Sequence, residues 1–185
     1  MVPMGLGGRT ALVCGASAGI GRAAALALAS LGCGVVALAR RRVELDRVCA
    51  ELRAAGAPRA EALVADLDDT DGLRAAVAGL DAQILIHNTG GPPGGRLLEE
   101  PTDKLVAAFR RHVLSAQVLV QALLPAMTRA GYGRVVTVTS TSVREPLDNL
   151  GVSNTIRAAM AGWAKTLSRE LPPGVTINNV LPGYT

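Results

Sequence analysis

The sequence predicts an α/β fold, a doubly wound parallel sheet in three α/β/α layers, on three observations. Short apolar runs alternate with longer stretches of helical period, six times along 185 residues. The apolar runs are continuous rather than alternating with polar residues, so both faces of their sheet must be covered, as in parallel strands laid between helices. A glycine-rich turn directly follows the first run and opens the first helical stretch.

Each element follows in order. Residues 10–14 are a short buried-strand run ending at Gly15. Residues 20–31 are rich in Ala and Leu, have helical character and stop at Gly32, a good helix terminator. Residues 35–39 form the second continuous apolar run. Residues 43–55 place Val43, Leu45, Val48, Cys49 and Leu52 close to one helical stripe. Residues 60–65 read as a third strand, 70–78 as a helix and 84–87 as a fourth strand. A loop rich in Gly and Pro spans 88–102. One long amphipathic helix is expected over 103–129, with Pro125 kinking or ending it. Residues 134–139 are a β-branched strand, 153–171 a helix closed by Pro172-Pro173-Gly174, and 175–180 a sixth strand.

Composition narrows the function classes. The chain is 49% hydrophobic with a net charge of +4, which excludes disorder. Aromatic residues make up 2%, too few for a platform that stacks nucleic-acid bases. Arginines are scattered apart from Arg40-Arg41-Arg42, so no nucleic-acid partner is expected. No apolar run reaches the ~18 residues of a membrane span, so no membrane partner is expected either. Cys14, Cys33 and Cys49 lack metal-site spacing, which argues against a disulfide framework or zinc and fits a reducing cytoplasm. No metal ligands are assigned.

Ligands of such sheets sit at the carboxyl ends of the strands. The loop after the first strand is Gly15-Ala16-Ser17-Ala18-Gly19-Ile20-Gly21. Its glycines let the backbone approach a pyrophosphate, and the following helix turns its N–H groups toward the anion; the alternative is a tight strand–helix turn with no ligand. At the end of the second strand a carboxylate would hold an adenosine ribose. Arg40 and Arg41 stand there instead, and guanidinium groups suit a 2′-phosphate, so NADP(H) is preferred over NAD(H). The alternative is a solvated basic turn. Asp66, followed by Leu67, binds an adenine edge or caps the next turn. After the fourth strand, Asn88-Thr89-Gly90-Gly91 lets the backbone pass close to the cofactor. His87 reads as a structural histidine.

These motifs carry a resemblance over essentially the whole chain. It is similar to the short-chain dehydrogenase/reductase family, in particular its 3-oxoacyl-[acyl-carrier-protein] reductase-like branch, with atypical catalytic residues. The family's T-G-x-x-x-G-x-G is matched by residues 14–21 with Cys14 for Thr. Its N-N-A-G is matched by residues 87–90 with two substitutions, His87 and Thr89, its G-R-(I/V)-V-x-(I/V)-x-S by residues 133–140, and its V-N-x-(V/I)-x-P-G by residues 177–183. The resemblance implies a single Rossmann domain over 1–185, lacking the family's C-terminal substrate lid and last strand. It implies an NADP(H) site at Gly15, Ser17, Ala18, Gly19, Ile20, Gly21, Arg40, Arg41, Asp66, Leu67, Asn88, Thr89, Gly90, Arg157, Pro182 and Gly183. It also implies a small-molecule carbonyl substrate, and a homodimer or homotetramer packed through the helices over 103–129 and 153–171.

The same resemblance sets the catalytic positions. The family's Ser falls on Ser140, its Tyr on Ser153, its Lys on Arg157 and its Asn on His112. The chain has two Tyr, and neither is followed by Lys four positions on, so no Tyr-x-x-x-Lys pair exists. Ser140 binds the carbonyl oxygen, Arg157 holds ribose hydroxyls or an anionic substrate group, His112 donates protons near neutral pH, and Ser153 is a weak replacement acid. Beside each stands a structural reading: an N-cap for Ser153, an outward or ion-paired arginine for Arg157, a packed helix residue for His112. Tyr184 is the one phenol expected near the nicotinamide. Two functions remain open: a reductase with a non-standard proton donor, and a non-catalytic NADP(H)-binding or sensor protein.

Overall fold

The computed structural model describes residues 5–183. Six strands form one sheet: β1 (Thr10–Cys14), β2 (Gly34–Ala39), β3 (Ala60–Val64), β4 (Ile84–His87), β5 (Gly133–Val138) and β6 (Val175–Val180). Their spatial order is β3-β2-β1-β4-β5-β6, and every pairing is parallel. The order reverses between β1 and β4, which opens a crevice at their carboxyl ends.

Successive residues of β1 face opposite layers, as strand geometry requires. Ala11 and Val13 pack with Ala25 and Ala29 of α1 (Gly19–Ser30) and Leu45 and Leu52 of α2 (Arg42–Ala54). Leu12 and Cys14 pack on the other face with Leu73 of α3 (Thr70–Ala76) and Leu119, Leu123 and Met127 of α5 (Ser115–Arg129). All six residues of β2 are buried, which explains its unbroken apolar sequence. β6 pairs on one side only, and Thr176, Asn178 and Val180 are exposed on the face that α1 and α2 cover further along the sheet.

Two helices depart from expectation. The stretch over 103–129 is α4 (Thr102–Phe109), a π-helical turn (Arg110–Leu114) and α5. The π turn accommodates an extra residue within a continuing helix and re-aims His112 inward, a distortion common at functional sites. Pro125 does not end the helix; buried Leu123, Ala126 and Met127 hold it against the sheet through to Arg129. The last helix, α6 (Gly151–Leu167), begins two residues early because the loop after β4 pins its start. Gly95 N–H donates to the Asn149 carbonyl at 2.7 Å, and Gly151 N–H donates to the Gly95 carbonyl at 3.0 Å. A side chain on Gly151 would lie 2.6 Å from the Leu97 backbone, so only glycine permits this approach.

Candidate functional site: a dinucleotide cleft and its polar floor

A cleft of about 460 Å³ opens at the carboxyl ends of β1, β2, β3 and β4. Its first wall is the turn into α1, where Gly15, Ser17, Ala18, Gly19 and Ile20 line it. Gly15 and Gly19 take φ of +61° and +53°, backbone that favours glycine. Gly21 lies beneath this wall rather than on it. A Cβ there would stand 2.3 Å from the Gly15 oxygen and 2.9 Å from Asn88 Nδ2, so its hydrogen is a packing requirement. The N-terminus of α1 has no side-chain cap and no acidic residue in its first turn, leaving its N–H groups to an anion. The cradle thus fits a pyrophosphate.

Arg40 and Arg41 line the same cleft at the end of β2, and both are exposed. Arg41 pairs with Glu44 at 3.2 Å and Arg42 with Asp46 at 2.8 Å. Arg40 has no ionic partner among the described residues and faces the cleft with its charge uncommitted. Asp66 and Leu67 form the far wall. Asp66 Oδ1 accepts the Asp68 N–H at 3.0 Å, so one oxygen caps the turn. Asn88, Thr89 and Gly90 close the cleft from β4. Sequence reasoning missed Arg111, which also lines it. Arg111 Nε donates to Asp68 at 2.9 Å, and the two form an ion pair across 43 positions of sequence.

The catalytic positions cluster between β4, β5, the π turn and α6. Ser140 follows β5, and its Oγ accepts the Ser142 N–H at 3.1 Å, which leaves the hydroxyl proton free to donate. Ser142 Oγ itself is enclosed without a partner. Arg157 is 8% exposed, and its Nη1 donates to the Val138 carbonyl at 2.7 Å. This removes the outward-facing reading of Arg157. Burial lowers its pKa, although a guanidinium stays charged. Ser153 lies one turn before Arg157, half-buried and inside the first turn of α6. The helix cap is Leu150, so the N-cap reading of Ser153 is overturned.

His112 is 1% exposed, and its Nδ1 lies 2.6 Å from Thr89 Oγ1. Burial, and secondarily the charge of Arg157, push its pKa down to about 3. The expectation that His112 donates protons near neutral pH is therefore corrected: the ring is neutral there because a charged imidazolium would lose its water beside a buried cation. His87 behaves alike. It is buried, hydrogen-bonded to Ser115 Oγ at 2.9 Å, and brought down to about 3 by burial and then by Arg157. Arg157, Pro182 and Gly183 do not line the cleft. Arg157 is drawn to Val138, and the Pro182 carbonyl accepts the Thr141 N–H at 3.1 Å, holding that loop to the Ser140 turn instead. Tyr184 lies outside the described residues.

Comparison with known proteins places this geometry. The short chain dehydrogenase family model matches residues 9–185. An uncharacterized oxidoreductase of Mycobacterium tuberculosis is 33% identical over 182 residues, covering 95% of this chain and 68% of that protein. The 3-oxoacyl-[acyl-carrier-protein] reductase FabG of Pseudomonas aeruginosa is 30% identical over 189 residues, covering 98% of this chain and 75% of that protein. L-sorbose reductase from Gluconobacter frateurii, solved with NADPH and L-sorbose, superposes with a TM-score of 0.86 at 28% identity, covering 91% of this chain and 66% of that one. The chain spans about two thirds of the length of the first of these relatives and of the sorbose reductase.

Proposed function

The chain belongs to the short-chain dehydrogenase family, and on that premise we propose that it is an oxidoreductase binding NADP(H) to reduce a small carbonyl compound, of 3-oxoacyl type or related. The observation that carries this reading is one cleft in which the uncapped α1 cradle and the uncommitted Arg40 face the same space. The cradle suits a pyrophosphate, and Arg40 with Arg41 suits a 2′-phosphate. Asp66, Leu67, Asn88, Thr89 and Gly90 line the path between. Gly21, Arg157, Pro182 and Gly183 support it from outside.

A bound dihydronicotinamide supplies the hydride. Ser140 Oγ–H donates a hydrogen bond to the carbonyl oxygen as negative charge develops there. The balancing proton comes from water reached past half-buried Ser153, because neutral His112 keeps only a ring N–H, a far weaker acid than an imidazolium. Arg157 keeps a fixed positive charge at the end of β5.

The test is calorimetric titration with NADPH and NADH, then NADPH oxidation over a panel of ketones, acyl-thioesters and sugars. Micromolar NADPH binding and a rate abolished in Ser140→Ala support the reductase. Binding with no turnover selects the sensor reading, which the neutral imidazoles and the missing phenol favour. Absence of NADPH binding defeats both.

Exposed Val106, Phe109 and Leu114 flank an apolar groove between α4, the π turn and α6. That face supports a homodimer or homotetramer, read by light scattering. No helix among the described residues is long and apolar enough to cross a membrane. Three buried free thiols support a cytoplasmic setting.

A further inference from the structure

Arg157 is a buried cation with no anion beside it among the described residues. Among the described residues only its Nη1 has a protein acceptor, and that acceptor, the Val138 carbonyl, is neutral. Burial lowers its pKa, and no carboxylate among the described residues pairs with it. Its titratable neighbours, His87 and His112, are neutral and cannot compensate it. A charge buried in this way is costly until something pairs with it.

The free nitrogens remain reachable. Arg157 keeps 8% of its surface exposed, and only Nη1 among its guanidinium nitrogens has an acceptor among the described residues. Gly91 contributes to this access: a Cβ there would lie 3.7 Å from Nη2 and cover it.

Cofactor phosphates do not meet this need. Their cradle follows β1, whereas Arg157 is anchored at the end of β5, with β4 between. Two strand spacings separate them by roughly 10 Å. A ribose hydroxyl would use a donor but leave the charge uncompensated. A carboxylate does both, in the two-pronged geometry that guanidinium favours.

We propose that Arg157 is a specificity-determining residue that receives the carboxylate of an oxo-acid substrate while Ser140 meets its keto oxygen. Val138 and Ser140 are two residues apart at the end of one strand, a span of roughly 7 Å. A short 2- or 3-oxo acid bridges that span with one hydrogen bond at each end. The inference rests on the oxidoreductase reading and sharpens its substrate from carbonyl compounds in general to free oxo acids rather than their esters.

The test compares acetoacetate with methyl acetoacetate by calorimetry on the full chain, alone and with saturating NADP⁺. Acetoacetate is expected to bind at least tenfold tighter than the ester. Arg157→Met removes the preference, and Arg157→Lys retains part of it. Equal binding of acid and ester to the unmodified chain overturns the proposal, and that measurement requires no variant to fold. A preference that survives Arg157→Met overturns it too. NADPH is titrated into the same sample to separate the two readings. Acid preference without NADPH binding removes the oxidoreductase reading and leaves the anion site. NADPH binding without acid preference removes the anion site alone.

Discussion

Mild acid should destabilise this fold well before its carboxylates titrate. His87 and His112 both fall from the ordinary 6.5 to about 3, through burial first and Arg157 second. Between those values the unfolded chain binds protons that the folded chain refuses. Stability conferred by the neutral rings is therefore complete above pH 6.5 and is lost as pH falls toward 3. Linkage gives a loss of about 1.3 kcal/mol per ring between pH 7 and pH 5.5, or about 2.5 kcal/mol for both. For a chain of this size that is a fall of roughly 5–10 °C in Tm. Urea unfolding followed by circular dichroism at the two pH values reads the difference directly. His112→Asn should remove about half of the pH-dependent part and His87→Asn/His112→Asn nearly all of it. A change below about 0.5 kcal/mol, or one undiminished in the double variant, would refute the argument that this pocket excludes protons.

Other perturbations separate packing from binding. Gly21→Ala drives a Cβ into the Gly15 backbone at 2.3 Å, so it should cost about 2–3 kcal/mol in urea unfolding. Gly19→Ala meets no protein atom within 4 Å; strained only by its positive φ, it should cost about 1 kcal/mol and act mainly on NADPH affinity in calorimetry. Arg40→Ala should weaken NADPH binding about tenfold, a loss of ~1.4 kcal/mol, while leaving NADH unchanged, because no acidic partner shares that charge. Any turnover should show no pKa inflection between pH 6.5 and 9, since both imidazoles titrate near 3 and the guanidinium does not titrate; a bend in log kcat there points to a proton donor outside the site described.

Legibility differed between the two ends of the cleft for a physical reason. Gly15, Gly19 and Gly21 are required by backbone geometry and close approach, and such requirements leave a local pattern in sequence. The six strands were equally legible, because covering both sheet faces forces unbroken apolar runs such as 34–39. The Arg111–Asp68 pair left no local pattern, since its partners are 43 positions apart and meet only after α3 and the π turn are packed. The π turn was also hidden: buried and exposed apolar residues surround it, so adding one residue does not disturb any visible stripe. Pro125 argued for a break that tertiary packing overrode.

Arg157 shows what sequence position alone leaves undecided. A guanidinium on a helix is ordinarily solvated or ion-paired, and its sequence neighbours do not distinguish this one. Its environment is set by Val138 and Gly91, which come from two different strand ends, and by two histidines kept neutral in part by its own charge. These groups form one electrostatic unit. Removing the cation relieves the histidines, and an arriving anion does the same from outside. A carboxylate bound at Arg157 should therefore offset the smaller part of the histidines' depression, which comes from Arg157, and leave the larger part, which comes from burial.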